Sequence, residues 1–430
     1  MSKAVLKALP DLIEAGLLSE EQARRIRDFY QQQPDRSSHR ALLVFGILGA
    51  LLVGLGIILI IAHNWDQLSR SLKTVLAFLP LVIGQAVSLY VLLKKSEQKA
   101  WREAAATFLF LAFGACISMI SQIYNIPGEV SDLLLIWMVL GLPLVYIMRS
   151  SMASFIFLFG ITYYGAQLGY SEYPTQIPYW YWILFLLILP HYYLLIKKTP
   201  SSNFTIFHHW IMPLSLIITL GTFGQQEELL MFLAYFSLFG WLYLIGQLTY
   251  FDEHPLKNNG FLILGSLGSI ILLLMLSFDF FWEELYQQRQ DFWSWTSTPE
   301  FWVVTALTLL ALAFLYLYAR RNGTHKISLM EVLFLVFLLL FGIGFYAPGQ
   351  SLLLVNILLL VLGILYIRKG TQQDHLGILN YGLLIITALI LCRFFDTKWS
   401  FILRGVLFVM VGIGFFIANY QMIQKRKNNN

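Results

Sequence analysis

Residues 41–62 read ALLVFGILGALLVGLGIILIIA, an uncharged run of 22 residues. A helix needs about 20 apolar residues to cross a bilayer, so this stretch predicts a transmembrane span. The pattern recurs along the chain. Apolar runs bounded by charges, Gly, Pro or Asn predict further spans near 72–93, 104–122, 132–148, 152–168, 179–196, 204–221, 228–247, 259–280, 300–318, 327–347, 350–367, 375–392 and 398–419. That makes about 14 helices in an all-α, polytopic membrane bundle. The composition agrees: 58% of the 430 residues are apolar and 12% charged, against about 25% charged in soluble domains. An ordinary soluble enzyme is excluded.

Charge orients the bundle, because Lys and Arg of short loops stay in the cytoplasm. With a cytoplasmic N-terminus and 14 crossings, 23 of the 29 basic residues fall inside, and both termini are cytoplasmic. Only Arg70, Lys73, Arg289, Arg393, Lys398 and Arg404 fall outside. The basic balance therefore reflects topology, and nucleic acid is not an expected partner. The first apolar run begins only after 40 mostly polar residues, so no cleavable signal is expected.

Three regions follow: a cytoplasmic helical hairpin over 1–40, a transmembrane domain over 41–421 and a basic tail over 422–430. Within the hairpin, Gly16 stands where a helix C-terminal cap belongs and Ser19 with Gln22 forms a capping-box pattern. The hairpin is read either as lying on the membrane face or as docking a cytoplasmic protein partner.

Polar residues gather at the ends expected to be external. His63-Asn64-Trp65-Asp66 follows the first span, whose Gly46, Ala50 and Gly54 give it a small-residue face for close packing. Gln122 precedes the turn at Pro127-Gly128, and Glu129 and Asp132 open the next helix, where carboxylates favour its dipole. Arg393, Asp396 and Arg404 flank the start of the last span; an arginine at that depth is costly unless it faces other polar groups. The candidate binding set is thus His63, Asn64, Asp66, Gln122, Glu129, Asp132, Arg393, Asp396 and Arg404, expected to line one external pocket. Capping and helix-end anchoring explain many of the same residues without a ligand.

The aromatic loop 279–300 is expected to dip Phe281, Trp282, Leu285, Phe292, Trp293 and Trp295 into the headgroups. His191, His208 and His209 are expected at similar depth in adjacent helices. No acid or cysteine accompanies them, so neither a metal nor any other cofactor is expected. Cys116 and Cys392 both belong to spans, which leaves no disulfide framework.

The amphipathic start Leu12-Ile13-Glu14-Ala15-Gly16, the span ending Ile61-Ala62-His63-Asn64-Trp65 and the exit Ser121-Gln122-Ile123-Tyr124-Asn125-Ile126 resemble a bacterial family of predicted membrane proteins, domain-of-unknown-function family 2157. The resemblance covers roughly residues 5–150. It implies a multi-pass protein of the bacterial cytoplasmic (inner) membrane and brings no chemistry with it. Three readings of function stay open. The first is a protein that binds or handles a lipid-linked or anionic amphiphilic ligand at the external face. A transporter or flippase not coupled to protons is the second, since the middle thirds of the spans hold no acid. The third is a structural or regulatory membrane protein without a substrate. No nucleotide loop, zincin helix or nucleophile elbow supports a named reaction.

Overall fold

The structure is a computed structural model. It describes residues 9–32, 44–49, 51–53, 55–56, 59, 68–288, 292–395, 402, 405–406, 409, 412–414 and 416. Among these residues every regular element is helical. The chain divides into two compact units, Met1–Phe157 and Leu158–Asn430. The expected region boundaries at 40 and 421 lie outside the described residues.

In the first unit, residues 9–14 are helical and Gly16 follows at φ 69°, a left-handed value that costs glycine little. The second arm of this hairpin is α1 (Glu20–Gln32). Its capping box is formed: Gln22 N–H donates to Ser19 Oγ at 3.2 Å, and Ser19 N–H to Gln22 Oε1 at 3.0 Å. Leu9 and Ala23 are the buried residues among those described in this segment.

Three long apolar helices follow, α2 (Arg70–Lys94), α3 (Lys99–Tyr124) and α4 (Val130–Ile147), and the division between the units falls within the next, α5 (Ser151–Ala166). Glycines let aromatic rings sink between α3 and α4. A Cβ on Gly114 would lie 2.5 Å from the Trp137 ring, and one on Gly141 2.4 Å from Phe110. The Trp137 indole N–H reaches the Phe110 carbonyl at 2.7 Å.

The second unit contains α6 (Tyr179–Lys198), α7 (Asn203–Leu220), α8 (Glu228–Gly246), α9 (Gly260–Met275), α10 (Phe280–Gln287), α11 (Pro299–Asn322), α12 (Leu333–Gly344), α13 (Pro348–Gln372) and α14 (Leu376–Phe395). Helix α8 is apolar on all sides, the pattern of a helix surrounded by protein, and 78% of its span is buried. Around the units, large apolar side chains such as Leu309, Leu339 and Trp302 stay more than 60% exposed. That is the surface of a protein solvated by lipid, since soluble proteins rarely expose contiguous apolar area on this scale.

Ten of the described helices are long and apolar enough to cross a membrane, or eleven if α9 and α10, bent by 76°, count as one broken span. Each of the twelve spans expected between 72 and 392 meets a helix. The one expected at 327–347 is represented by α12, which has only 12 helical residues. Of the span expected at 41–62, 12 residues between 44 and 59 are described and all are helical, whereas the span expected at 398–419 falls largely outside the described residues.

Candidate functional site

The run 259–280 contains no proline after Gly260, yet its helix stops at Met275 and restarts at Phe280 in a new direction. Side chains replace the lost backbone partners, as membrane interiors require. Trp282 Nε1 donates to the Leu276 carbonyl at 2.8 Å, and Asn356 Nδ2 to the Ser277 carbonyl at 3.2 Å. Arg393, 7% exposed at the end of α14, donates to Ser277 Oγ at 3.0 Å. Its guanidinium lies 4.7 Å over the Phe278 ring, a cation–π distance. The break therefore collects a buried cation, an amide and a hydroxyl at one end of the second unit.

Beside it, α10 corrects one expectation about the aromatic loop. Phe281, Trp282, Leu285 and Trp295 are buried in protein instead of dipping into lipid. Phe281 packs 4.6 Å from Phe232, and Trp295 lies 5.6 Å from Phe345. An amphipathic face demands an apolar neighbour without saying which, and here α8 and α12 supply it. The side chains of Phe292 and Trp293 lie outside the described residues.

A groove of about 360 Å³ runs between α7, α8 and α9. Leu214, Ile217, Tyr235, Phe239, Leu267 and Ile271 are among its lining residues. At the end where α7 stops, the hydroxyls of Tyr235 and Tyr170 donate to the carbonyls of Ile217 and Ile218 at 3.0 and 2.7 Å.

Of the nine residues expected to form one pocket, His63, Asn64, Asp66, Asp396 and Arg404 lie outside the described residues. Gln122, Glu129 and Asp132 belong to the first unit and Arg393 to the second. Glu129 and Asp132 form a reciprocal capping box at the start of α4, with Glu129 N–H donating to Asp132 Oδ2 at 3.3 Å. Gln122 is exposed at the end of α3.

The histidines do meet, with the His191 and His208 ring centroids 6.4 Å apart. Their partners are local. His208 Nδ1 lies 2.7 Å from the Phe204 carbonyl, an acceptor, so that nitrogen carries the proton. His209 is held between the Tyr192 hydroxyl at 2.7 Å and the Tyr250 hydroxyl at 3.2 Å. Among the described residues no group of three His, Cys, Asp or Glu is placed to hold a metal ion.

Two buried acids escaped the sequence reading. Glu103 on α3 caps α5. Glu300, fully buried, accepts the backbone N–H groups of Gln225, Gln226 and Glu227 on one oxygen at 3.0, 2.8 and 3.3 Å, just before α8. The one available signal was an acid at the end of an apolar run. Glu331, also buried, takes the Gln247 amide at 3.4 Å and the Ser328 N–H at 2.9 Å before α12.

Stacked apolar helices, lipid-type exposure and a broken helix define a multi-span helical membrane protein. Residues 10–154 match the model of a family described as predicted membrane protein (DUF2157), the family that the sequence resembles. No curated protein and no solved structure matches the chain.

Proposed function

We propose that the chain binds an anionic amphiphile, such as a lipid-linked substrate, at the external membrane face, with Arg393 meeting its headgroup. The observation that carries this reading is the setting of Arg393: a guanidinium 7% exposed, held at a helix break by Ser277 and the Phe278 ring. Ionisable residues at membrane depth are expensive and mark functional sites by default. The planar fork of arginine matches phosphate and carboxylate oxygens. The charge partition of the sequence puts this end of α14 outside. Asp396 and Arg404, which follow Arg393 in the chain, are the residues we assign to the same external site. The bacterial inner membrane is the compartment this reading assumes, and residues 1–40 offer a surface to a cytoplasmic partner.

The test is native mass spectrometry of the purified full chain released from membranes containing phosphatidylglycerol or phosphatidylcholine. Retention of the anionic lipid is expected to exceed that of the neutral one by about tenfold, some 1.4 kcal/mol. Arg393→Gln removes the preference and Arg393→Lys weakens it. Equal retention of both lipids by the unmodified chain would overturn the reading.

The same helix break also supports passive movement of such a ligand, because discontinuous helices recur at transporter binding sites. Flipping of a fluorescent anionic lipid in proteoliposomes, without a pH gradient, separates a flippase from a binder.

A further inference from the structure

We infer that the groove between α7, α8 and α9 holds one acyl chain of a membrane lipid, its ester end at Tyr170 and Tyr235. The inference stands apart from Arg393, whose contacts Ser277 and Phe278 lie beyond the end of α9.

The groove exists because glycine fixes one end of the helix pair. A Cβ on Gly246 would lie 2.6 Å from the Leu262 nitrogen, and one on Gly265 2.6 Å from the Tyr243 nitrogen. The backbones of α8 and α9 therefore touch there. Further along, the Phe239 ring lies across Gly268, where a Cβ would stand 2.2 Å away. Side chains now set the spacing, and the helices part.

The walls settle what can enter. Leu214 and Ile217 of α7 face Leu267 and Ile271 of α9, and the Tyr235 hydroxyl is turned to the Ile217 carbonyl. A water molecule needs two to four polar partners to be held, and this wall supplies none. Leu214, Leu267 and Ile271 are 40, 37 and 48% exposed, on helices that qualify as membrane-spanning or as half of the broken span. The medium against them is hydrocarbon.

From Leu264 to Leu272 the groove follows α9 for roughly 12 Å, and its volume of about 360 Å³ accommodates a flexible chain of that length.

Direction follows from the polar end. The hydroxyls of Tyr170 and Tyr235 converge beside Gly221, where a Cβ would lie 2.4 and 2.8 Å from them. Tyrosines with one wet end are the residues expected at a headgroup boundary. Each hydroxyl donates to a carbonyl of α7 and keeps lone pairs to accept from an ammonium or hydroxyl headgroup. The methyl end then points toward Gly265.

The experiment uses the full chain in nanodiscs containing a phospholipid with a diazirine near the chain terminus. After photolysis, labelled positions are mapped by mass spectrometry. Labelling of 214–217 and 264–272 is expected to exceed that of the exposed α11 face at Leu309 and Leu312 by about fivefold. Ile271→Trp, which fills the groove, removes this excess and leaves α11 labelling unchanged. Leu267→Phe is the second variant, used if the tryptophan prevents a monodisperse preparation. Groove labelling no higher than at α11, labelling unmoved by both variants, or cross-linking to a second copy at these positions would overturn the inference. Arg393→Gln leaves the groove labelling intact, so failure of the headgroup reading and failure of this one are told apart.

Discussion

Glu103 on α3 accepts the Ser150 hydroxyl at 2.5 Å and, through the same carboxylate, the N–H groups of Ser151 and Met152 at 3.0 and 2.9 Å. One helix thereby caps the start of another that lies 47 residues further along. The first N–H groups of α5 have no partner within the helix, and an anion there also meets the positive end of its dipole.

Both Glu103 and Ser150 are buried, so losing the carboxylate strands several donors away from water. Glu103→Ala is expected to cost about 2–4 kcal/mol. Ser150→Ala is expected to cost about 1–2 kcal/mol, because the carboxylate still serves the two N–H groups. Chemical denaturation in mild detergent checks both. A Glu103→Ala protein as stable as the unmodified chain would remove the carboxylate's role as a cap.

What could be read in advance follows the range of each interaction. The spans were legible because a membrane helix needs an unbroken apolar run, a purely local property. The capping boxes at Ser19–Gln22 and Glu129–Asp132 were legible because their partners lie three residues apart. Glu103 was not, since its partner is set by how helices pair. The break at Leu276–Asp279 was hidden for the same reason: Trp282, Asn356 and Arg393 satisfy it, and only one of them is near in sequence. Depth in the membrane brought the histidines together correctly, whereas the hydroxyls that engage His209 came from helix pairing and a later turn.

The break should be energetically shared between its side chains. Trp282→Phe leaves the Leu276 carbonyl buried without its donor and opens a small cavity, for an expected cost of about 2–4 kcal/mol. Asn356→Leu removes the amide from the Ser277 carbonyl, for about 1–2 kcal/mol. Because both act on one break, the double variant is expected to depart from additivity by more than about 0.5 kcal/mol. Strict additivity in a double-mutant cycle would mean that the two contacts are independent.

Glycine positions give a contrast within one unit. A Cβ on Gly265 would meet backbone atoms of Tyr243 and Phe239 at 2.6 and 2.7 Å, whereas one on Gly342 would meet nothing within 4 Å. Gly265→Ala is expected to force α8 and α9 apart at a cost of about 1–3 kcal/mol. Gly342→Ala, exposed in α12, is expected to be neutral or to stabilise by up to about 1 kcal/mol. Thermal unfolding of the two proteins side by side checks the sign of each.

The orientation of Arg393 turns on whether α9 crosses the membrane. Its 16 residues reach about 24 Å, short of a hydrocarbon core of about 30 Å. With α10 bent by 76°, the pair reads either as a broken span or as a re-entrant loop. Charge favours crossing. Were α9 to turn back, α11 would carry Arg320, Arg321 and Lys326 to the outside, against the retention of basic loops in the cytoplasm. Seven helices, α3 to α9, separate the exposed residues Glu97 and Glu284, so a crossing α9 puts them on opposite sides. Cysteines at the two positions therefore discriminate, given that Cys116 is buried and Cys392 only partly exposed. In intact cells an impermeant maleimide is expected to label Glu284→Cys at once and Glu97→Cys only after permeabilisation. Both reacting only after permeabilisation would make α9 re-entrant and turn Arg393 to the cytoplasm, where a ligand from the outer leaflet could not reach it.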